Sequence, residues 1–204
     1  MRVRMIQAHR VRRWRQVAGL LLASVWLAGC ASPHYLQLDP QRTAEVPRSG
    51  GGQAITVMAV DQRDGEVIGT RTGSAMSTAT INVSAHELVP RLQAEAERAV
   101  RDMGFSPTTD PAEGRPSLTL TLVHLGYERG QSRPVIDEAR LEAVFEAKAV
   151  NRGSTYTGTY TSRRTQSYAV RPDRNANTRM LNDLLSDGLD RAFRDPELGQ
   201  LLAE

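Results

Sequence analysis

The chain has 204 residues, 40% of them hydrophobic, a formal net charge of +3 and a single cysteine. One cysteine excludes an intramolecular disulfide, and this apolar content at this length describes one domain with a real core rather than a disordered chain. The positive balance is misleading: six arginines lie in the first fifteen positions, and without them 20 basic residues face 23 acidic ones, which excludes a nucleic-acid partner on charge.

Those arginines (Arg2, Arg4, Arg10, Arg12, Arg13 and Arg15) precede an apolar run from Val17 to Gly29 in which Ser24 is the only polar residue. As a helix the run spans roughly 20 Å, short of the roughly 30 Å hydrocarbon core. A basic start, a short apolar stretch and small residues at its end describe a secretory signal. Leu27-Ala28-Gly29-Cys30 resembles the lipobox of bacterial lipoproteins. Small residues admit a protease to the backbone, and the thiol can carry a thioether-linked diacylglycerol. The resemblance implies a signal peptide over 1–29, cleavage between Gly29 and Cys30, and an acylated, palmitate-bearing Cys30 as the mature N-terminus. At about 0.8 kcal/mol per buried methylene, such chains make the membrane a permanent partner. Ala31-Ser32, rather than an aspartate, follows the cysteine. By resemblance this directs the protein to the outer membrane of a Gram-negative cell, on the periplasmic face.

Residues 30–52 read as the lipidated cysteine and a flexible tether, with Pro33, Pro40, Pro47 and Ser49-Gly50-Gly51-Gly52 and no apolar periodicity. Residues 53–204 form the expected single domain. Ala54 to Val60 is a buried strand, and Asp64-Gly65 is a type I′ hairpin pair that lets Glu66 to Thr70 return antiparallel. A small-residue loop follows, with a short strand at Thr80 to Val83. Ser84-Ala85-His86-Glu87 has the form of a capping box. It opens a helix with Leu88, Leu92, Ala96, Ala99, Val100 and Met103 on one face, closed at Gly104 with Phe105 packing back.

Ser117 to Tyr127 and Glu138 to Asn151 alternate as strands, and Thr155 to Thr165 sets threonines against Tyr156, Gly158 and Tyr160. A last helix runs from an Asn177 cap to Arg194, with Leu181, Leu184, Leu185, Gly188 and Ala192 as its stripe, and Pro196 stops it. The expected fold class is α+β: an antiparallel sheet of about four to six strands with two helices packed on one face.

Asp61-Gln62-Arg63, the Gly104-Phe105 helix exit, Leu118 to Tyr127, Asn151…Tyr156…Tyr160 and Asn177…Leu184-Leu185-Ser186-Asp187…Leu189 together look like the YajG-like family of bacterial lipoproteins. The likeness runs from the lipobox to about Leu202. It implies an envelope location and an α+β fold, and supplies no catalytic residues.

The residues offer little chemistry. His124 continues the Leu118-Leu120-Leu122 face, as a satisfied core histidine or a ligand. Asp61 and Arg63, at a strand end, either pin a turn or meet a partner. Tyr127 closes the long strand, and with His124, Asp61 and Arg63 it completes the candidate binding residues. Tyr156, Tyr160 and Tyr168 suit sheet-face roles before an aromatic binding strip. There is no His-Glu-x-x-His, cysteine pair or phosphate loop, so neither a metal nor a cofactor is expected. Asp137-Glu138 and Glu142/Glu146 are the carboxylate pairs a cell-wall hydrolase would need. The first pair points to opposite faces and the second sits in a charged ladder. The leading reading is a non-catalytic outer-membrane lipoprotein that binds or scaffolds an envelope protein or polymer. A carboxylate hydrolase and a transport accessory using the helix-free sheet face are the alternatives.

Overall fold

The computed structural model describes residues 32–71, 79–130 and 137–204. The signal peptide, Gly29, Cys30 and most of the small-residue loop lie outside these residues. Among the described residues the strands are β1 (His34–Tyr35), β2 (Ala54–Asp61), β3 (Val67–Thr70), β4 (Thr80–Asn82), β5 (Ser106–Thr108), β6 (Ser117–Arg129), β7 (Asp137–Asn151) and β8 (Ser154–Tyr168). The helices are α1 (Ala85–Asp102), α2 (Arg174–Phe193) and α3 (Pro196–Ala203).

Alternation builds the long strands. In β7 Ala139, Leu141, Ala143, Phe145, Ala147 and Ala149 are buried, while Arg140, Glu142, Glu146 and Lys148 take the other face. β6, β7 and β8 pair antiparallel, so Leu118, Ala149 and Tyr156 stand in one row on the core side. The fold is α+β, but the sheet is mixed rather than antiparallel, and it has eight strands instead of four to six.

The Asp64-Gly65 hairpin does not form. β2 runs parallel to β6 along one edge. On the other, β5 takes only Ala54–Thr56, and farther along Gln93 of α1 accepts the Ala59 N–H at 2.7 Å and donates to the Val57 carbonyl at 3.1 Å, so a returning strand would have to displace it. β3 instead pairs antiparallel with β4 and parallel with β6, where Gly69 stands opposite Tyr127. One edge of β6 therefore serves β2 as far as Leu122 and β3 beyond it. A Cβ at Gly69 would overlap the Tyr127 carbonyl oxygen, so glycine is required for this approach.

All three helices contribute to one continuous core on one sheet face. α1 buries Leu88, Leu92, Ala96, Ala99 and Val100 as its periodicity dictates. The capping box is absent: Ser84 makes no side-chain bond, and the Glu66 carboxylate accepts from the Ala85 N–H at 3.2 Å. At the other end Gly104 has φ +93°, and the Phe105 N–H donates to the Val100 carbonyl at 3.1 Å, a Schellman closure. α2 starts at Arg174 rather than after Asn177, because the Asp173 carboxylate accepts from the Ala176 N–H at 2.7 Å. α2 does end at Phe193, just ahead of Pro196, but a third helix, not expected from the sequence, begins at that proline. At the first position of α3 its missing N–H costs nothing, and Asp195 caps the Glu197 N–H at 3.0 Å.

The segment before β2 is not a free tether. Leu36, Leu38, Pro40 and Arg42 are buried. The N–H groups of the intervening Asp39, Gln41 and Thr43 donate to Asn182 Oδ1, Ser186 Oγ and Asp190 Oδ1 at 2.8, 3.0 and 3.0 Å. These acceptors are spaced four apart and line one face of α2. From the other side Glu95 of α1 accepts the Arg42 N–H at 3.0 Å. Residues 36–44 thus form an extended strap in the groove between α1 and α2. Burial of each leucine contributes about 1.5–3 kcal/mol, enough to hold a proline-broken segment in place. Farther on, the Ser49 and Gly50 N–H groups donate to the Met103 carbonyl at 3.0 and 2.9 Å.

Candidate functional site

Of the four candidate binding residues His124 is the exposed one, on the sheet face opposite the helices, and a β-bulge puts it there. Leu122 pairs with Phe145, but His124 pairs with Val144, so the register shifts at Val123. Simple alternation would leave His124 in the core with Leu118, Leu120 and Leu122. The extra residue inverts the faces: Leu125 and Tyr127 turn inward and His124 turns out. His124 is therefore not a core histidine. A Cβ at Gly126 would stand 2.7 Å from His124 Nε2, so the imidazole lies along the strand over that glycine.

A hollow of about 270 Å³ opens beside it, lined by His124, Gly126, Glu128, Arg140, Glu142 and Arg163 among others. Its charges form a cross-strand ladder. Glu128 is paired in register with Arg140, and Arg163 donates to Glu142 at 2.8 Å. Arg164, in register with core-facing Leu141, lies on the helix side instead and reaches Asp183 and Asp187 of α2 at 2.9 and 3.0 Å. Each carboxylate here stands beside a guanidinium. The array suits recognition of a partner with both charges, and Glu142 and Glu146 do not confront each other across a cleft.

The other candidates lie elsewhere. Arg63 donates to Asp61 through Nε at 2.9 Å and through a terminal nitrogen at 2.6 Å, and it also reaches the Val83 carbonyl at 3.1 Å. Their side chains are only 5% and 4% exposed, so the pair pins the β2 exit to the start of α1. Tyr127 is in the core, where burial and the neighbouring Tyr168 push its phenol well above the usual range. The structure does not gather Asp61, Arg63, His124 and Tyr127 into one site. Among the described residues no three potential metal ligands converge.

Two clusters were missed. The strap network joins buried Arg42 to Glu95, to Asp102 at 2.5 Å and to the face of Phe193, 5.6 Å from its centroid. The alternation of Leu36 and Leu38, with Asn182, Ser186 and Asp190 at intervals of four, was its available signal. The second is Asp195, whose Oδ2 accepts from Tyr156 and Tyr160 at 2.7 and 2.5 Å. Burial pushes the Asp195 carboxyl up, but the hydroxyls of Tyr160 and Tyr156 and the Glu197 N–H outweigh it and hold the carboxyl below its ordinary value. The first cluster fastens the strap to two helices, and the second fastens the junction of α2 and α3 to β8.

Residues 40–203 match the Lipoprotein_16 family, described as uncharacterised lipoproteins. The chain belongs to this lipoprotein family. A Xanthomonas campestris protein of family DUF330 has a similar solved structure, with a TM-score of 0.51 at 16% identity, covering 82% of this chain and 95% of that one. A minor lipoprotein from Acinetobacter baumannii gives 0.38 at 12% identity, with 74% and 90% covered. Rare lipoprotein B from Shewanella oneidensis gives 0.35 at 13% identity, with 69% and 87% covered. The first likeness shows a shared fold, and family membership makes the chain a membrane-anchored envelope protein. No curated protein matches the chain. No helix among the described residues is long and apolar enough to cross a membrane.

Proposed function

We propose that this lipoprotein is anchored in the outer membrane through acylated Cys30 and acts as a non-catalytic binding or scaffolding module for another envelope component. The observation that carries the reading is the division of the fold into two faces. All three helices and the strap cover one side of the sheet, and the other side, with its threonine rows and charge ladder, is left uncovered among the described residues. Such a face, with Met58 53% and Val123 40% exposed amid polar residues, has the mixed composition of a reversible protein or polymer interface. The lipobox and the Ala31-Ser32 that follows it support the anchor and its destination, and the YajG-like resemblance agrees with both.

Two experiments test it. Cys30→Ser should move the protein from the outer-membrane fraction to the soluble periplasm or leave it as unprocessed precursor. A cleaved product that stays with the outer membrane contradicts the anchor. A photo-crosslinker at Thr157, exposed on the open face, should give one reproducible envelope adduct in cells, and the same probe at Glu87 should not. Absence of a Thr157 adduct contradicts scaffolding through this face.

A further inference from the structure

The point where the chain leaves the lipid is fixed on the domain, and this orients the molecule. Arg71 donates a terminal nitrogen to the Ser32 carbonyl at 2.5 Å. β1 then pairs with β4 in parallel, and Asn177 of α2 places its side-chain nitrogen 3.3 Å from His34 Nδ1. From Cys30 to Ser32 is two residues, at most about 7 Å of extended chain. The acylated residue therefore cannot lie farther than that from Ser32, and the pole of the domain around Ser32 must rest at the bilayer surface.

That pole has the residues an interface requires. Arg71 and Arg174 flank His34, whose imidazole burial and these two charges hold below its usual range, against the opposing pull of Asp173. Arg171 and Arg174 are exposed beside Val170, which at 82% is the most exposed large apolar side chain described. The carboxylates near these guanidiniums are engaged: Asp173 caps α2, and Asp183, which lines a hollow with Val170, is paired with Arg164 at 2.9 Å. The neighbouring Arg129 and Asp137 are already joined at 2.7 Å. The far ends of β7 and β8, with Thr155, stand thirteen residues from Tyr168 along β8. That is roughly 43 Å away at the strand repeat, well outside the headgroup layer.

We infer that the pole formed by Ser32, Arg71, Val170, Arg171 and Arg174 is a membrane-contact face, with Val170 in the headgroup layer and the three guanidiniums on the phosphates of anionic phospholipid. This rests on the proposed acylation of Cys30. The anchor removes the entropy of bringing the pole to the surface, so single exposed charges that would be too weak for a free protein become effective. It also gives the open sheet face a defined attitude: the long strands stand up from the bilayer, and the face looks sideways along the periplasm rather than down at the lipid.

The test uses the full lipidated protein in vesicles of phosphatidylethanolamine with or without phosphatidylglycerol. Val170→Cys and, as control, Thr155→Cys each introduce the one free thiol, which takes an environment-sensitive fluorophore. Quenching by headgroup-nitroxide lipid should be several-fold stronger at position 170 than at 155. In phosphatidylglycerol vesicles the double variant Arg171→Gln, Arg174→Gln should lose part of the quenching at 170. Intact mass of each preparation reports acylation independently. Acylated, vesicle-bound protein with equal quenching at both positions overturns this inference while leaving the anchor standing, and unchanged quenching in the double variant overturns the role of the arginines. An unmodified Cys30 brings down anchor and orientation together.

Discussion

Asp190 holds Thr43 twice, accepting its backbone N–H at 3.0 Å and its hydroxyl at 2.8 Å. It also accepts the Ala44 N–H at 3.0 Å. A single carboxylate on α2 thereby fixes the middle of the strap. Asp190→Ala should lower stability by about 1–3 kcal/mol, the range for hydrogen bonds to a charged group. Amide exchange at 39–44 should accelerate far more than exchange in β7. Unchanged protection of those amides would show that Leu36 and Leu38 hold the strap unaided.

Arg42 ties the strap to both helices. Its guanidinium and its backbone N–H both face Glu95, whose side chain is 7% exposed. Arg42→Met should cost about 3 kcal/mol, the lower end for breaking a buried pair, because Arg98 still holds Glu95. Arg98 does so at 2.6 Å. Adding Glu95→Gln should recover part of the loss, a coupling that chemical denaturation of the four variants measures. Strictly additive losses would mean that the two side chains act separately.

The Asp195 cluster gives stability a pH dependence of known sign. Its carboxyl ionises more readily when folded than when unfolded. Its contribution is therefore complete above the ordinary aspartate range, about pH 4–5, and fades as pH falls through the lower folded value. The phenol of Tyr160 is held above its usual range by burial and by Asp195, and that of Tyr156 chiefly by Asp195. A phenol raised in the folded state favours folding below about pH 10 and loses that contribution above it. Asp195→Asn should cost roughly 1–2 kcal/mol at pH 7 and progressively less towards pH 3. A constant difference across that range, in thermal melts at stepped pH, would contradict the assignment.

The bulge at Val123 predicts opposite outcomes for neighbours. His124→Ala should change stability by less than about 0.5 kcal/mol, as for other exposed positions. Leu125→Ala, which empties a core position 4% exposed, should cost about 2–5 kcal/mol. A large loss at 124 with a small one at 125 would mean that the strand keeps simple alternation.

Period and composition made the strongly patterned elements legible. The stripes of α1 and α2, the alternation of β7 and the sorting of Tyr156, Gly158 and Tyr160 from the threonines of β8 all follow local rules. What was not legible depends on distant partners. Asp64-Gly65 is good hairpin chemistry, but β6 takes one edge of β2 and β5 together with Gln93 of α1 takes the other, so the local signal loses to distant partners. Ser84 yields its capping role to Glu66 from the preceding turn. The bulge adds one residue without a glycine to mark it, and that one residue reverses the face of His124. The strap looks like a linker because prolines interrupt its pattern, and only the groove between two helices reveals that Leu36 and Leu38 have somewhere to go.

We propose that the mature chain begins at an acylated Cys30 and that the folded domain is tied down almost from that residue. Intact mass and N-terminal peptide mass of the protein from membranes measure this directly. Loss of residues 1–29 and a diacylglycerol-modified, N-acylated Cys30 are expected. A chain that retains Met1 or starts elsewhere, or a Cys30 with a free thiol, would contradict it.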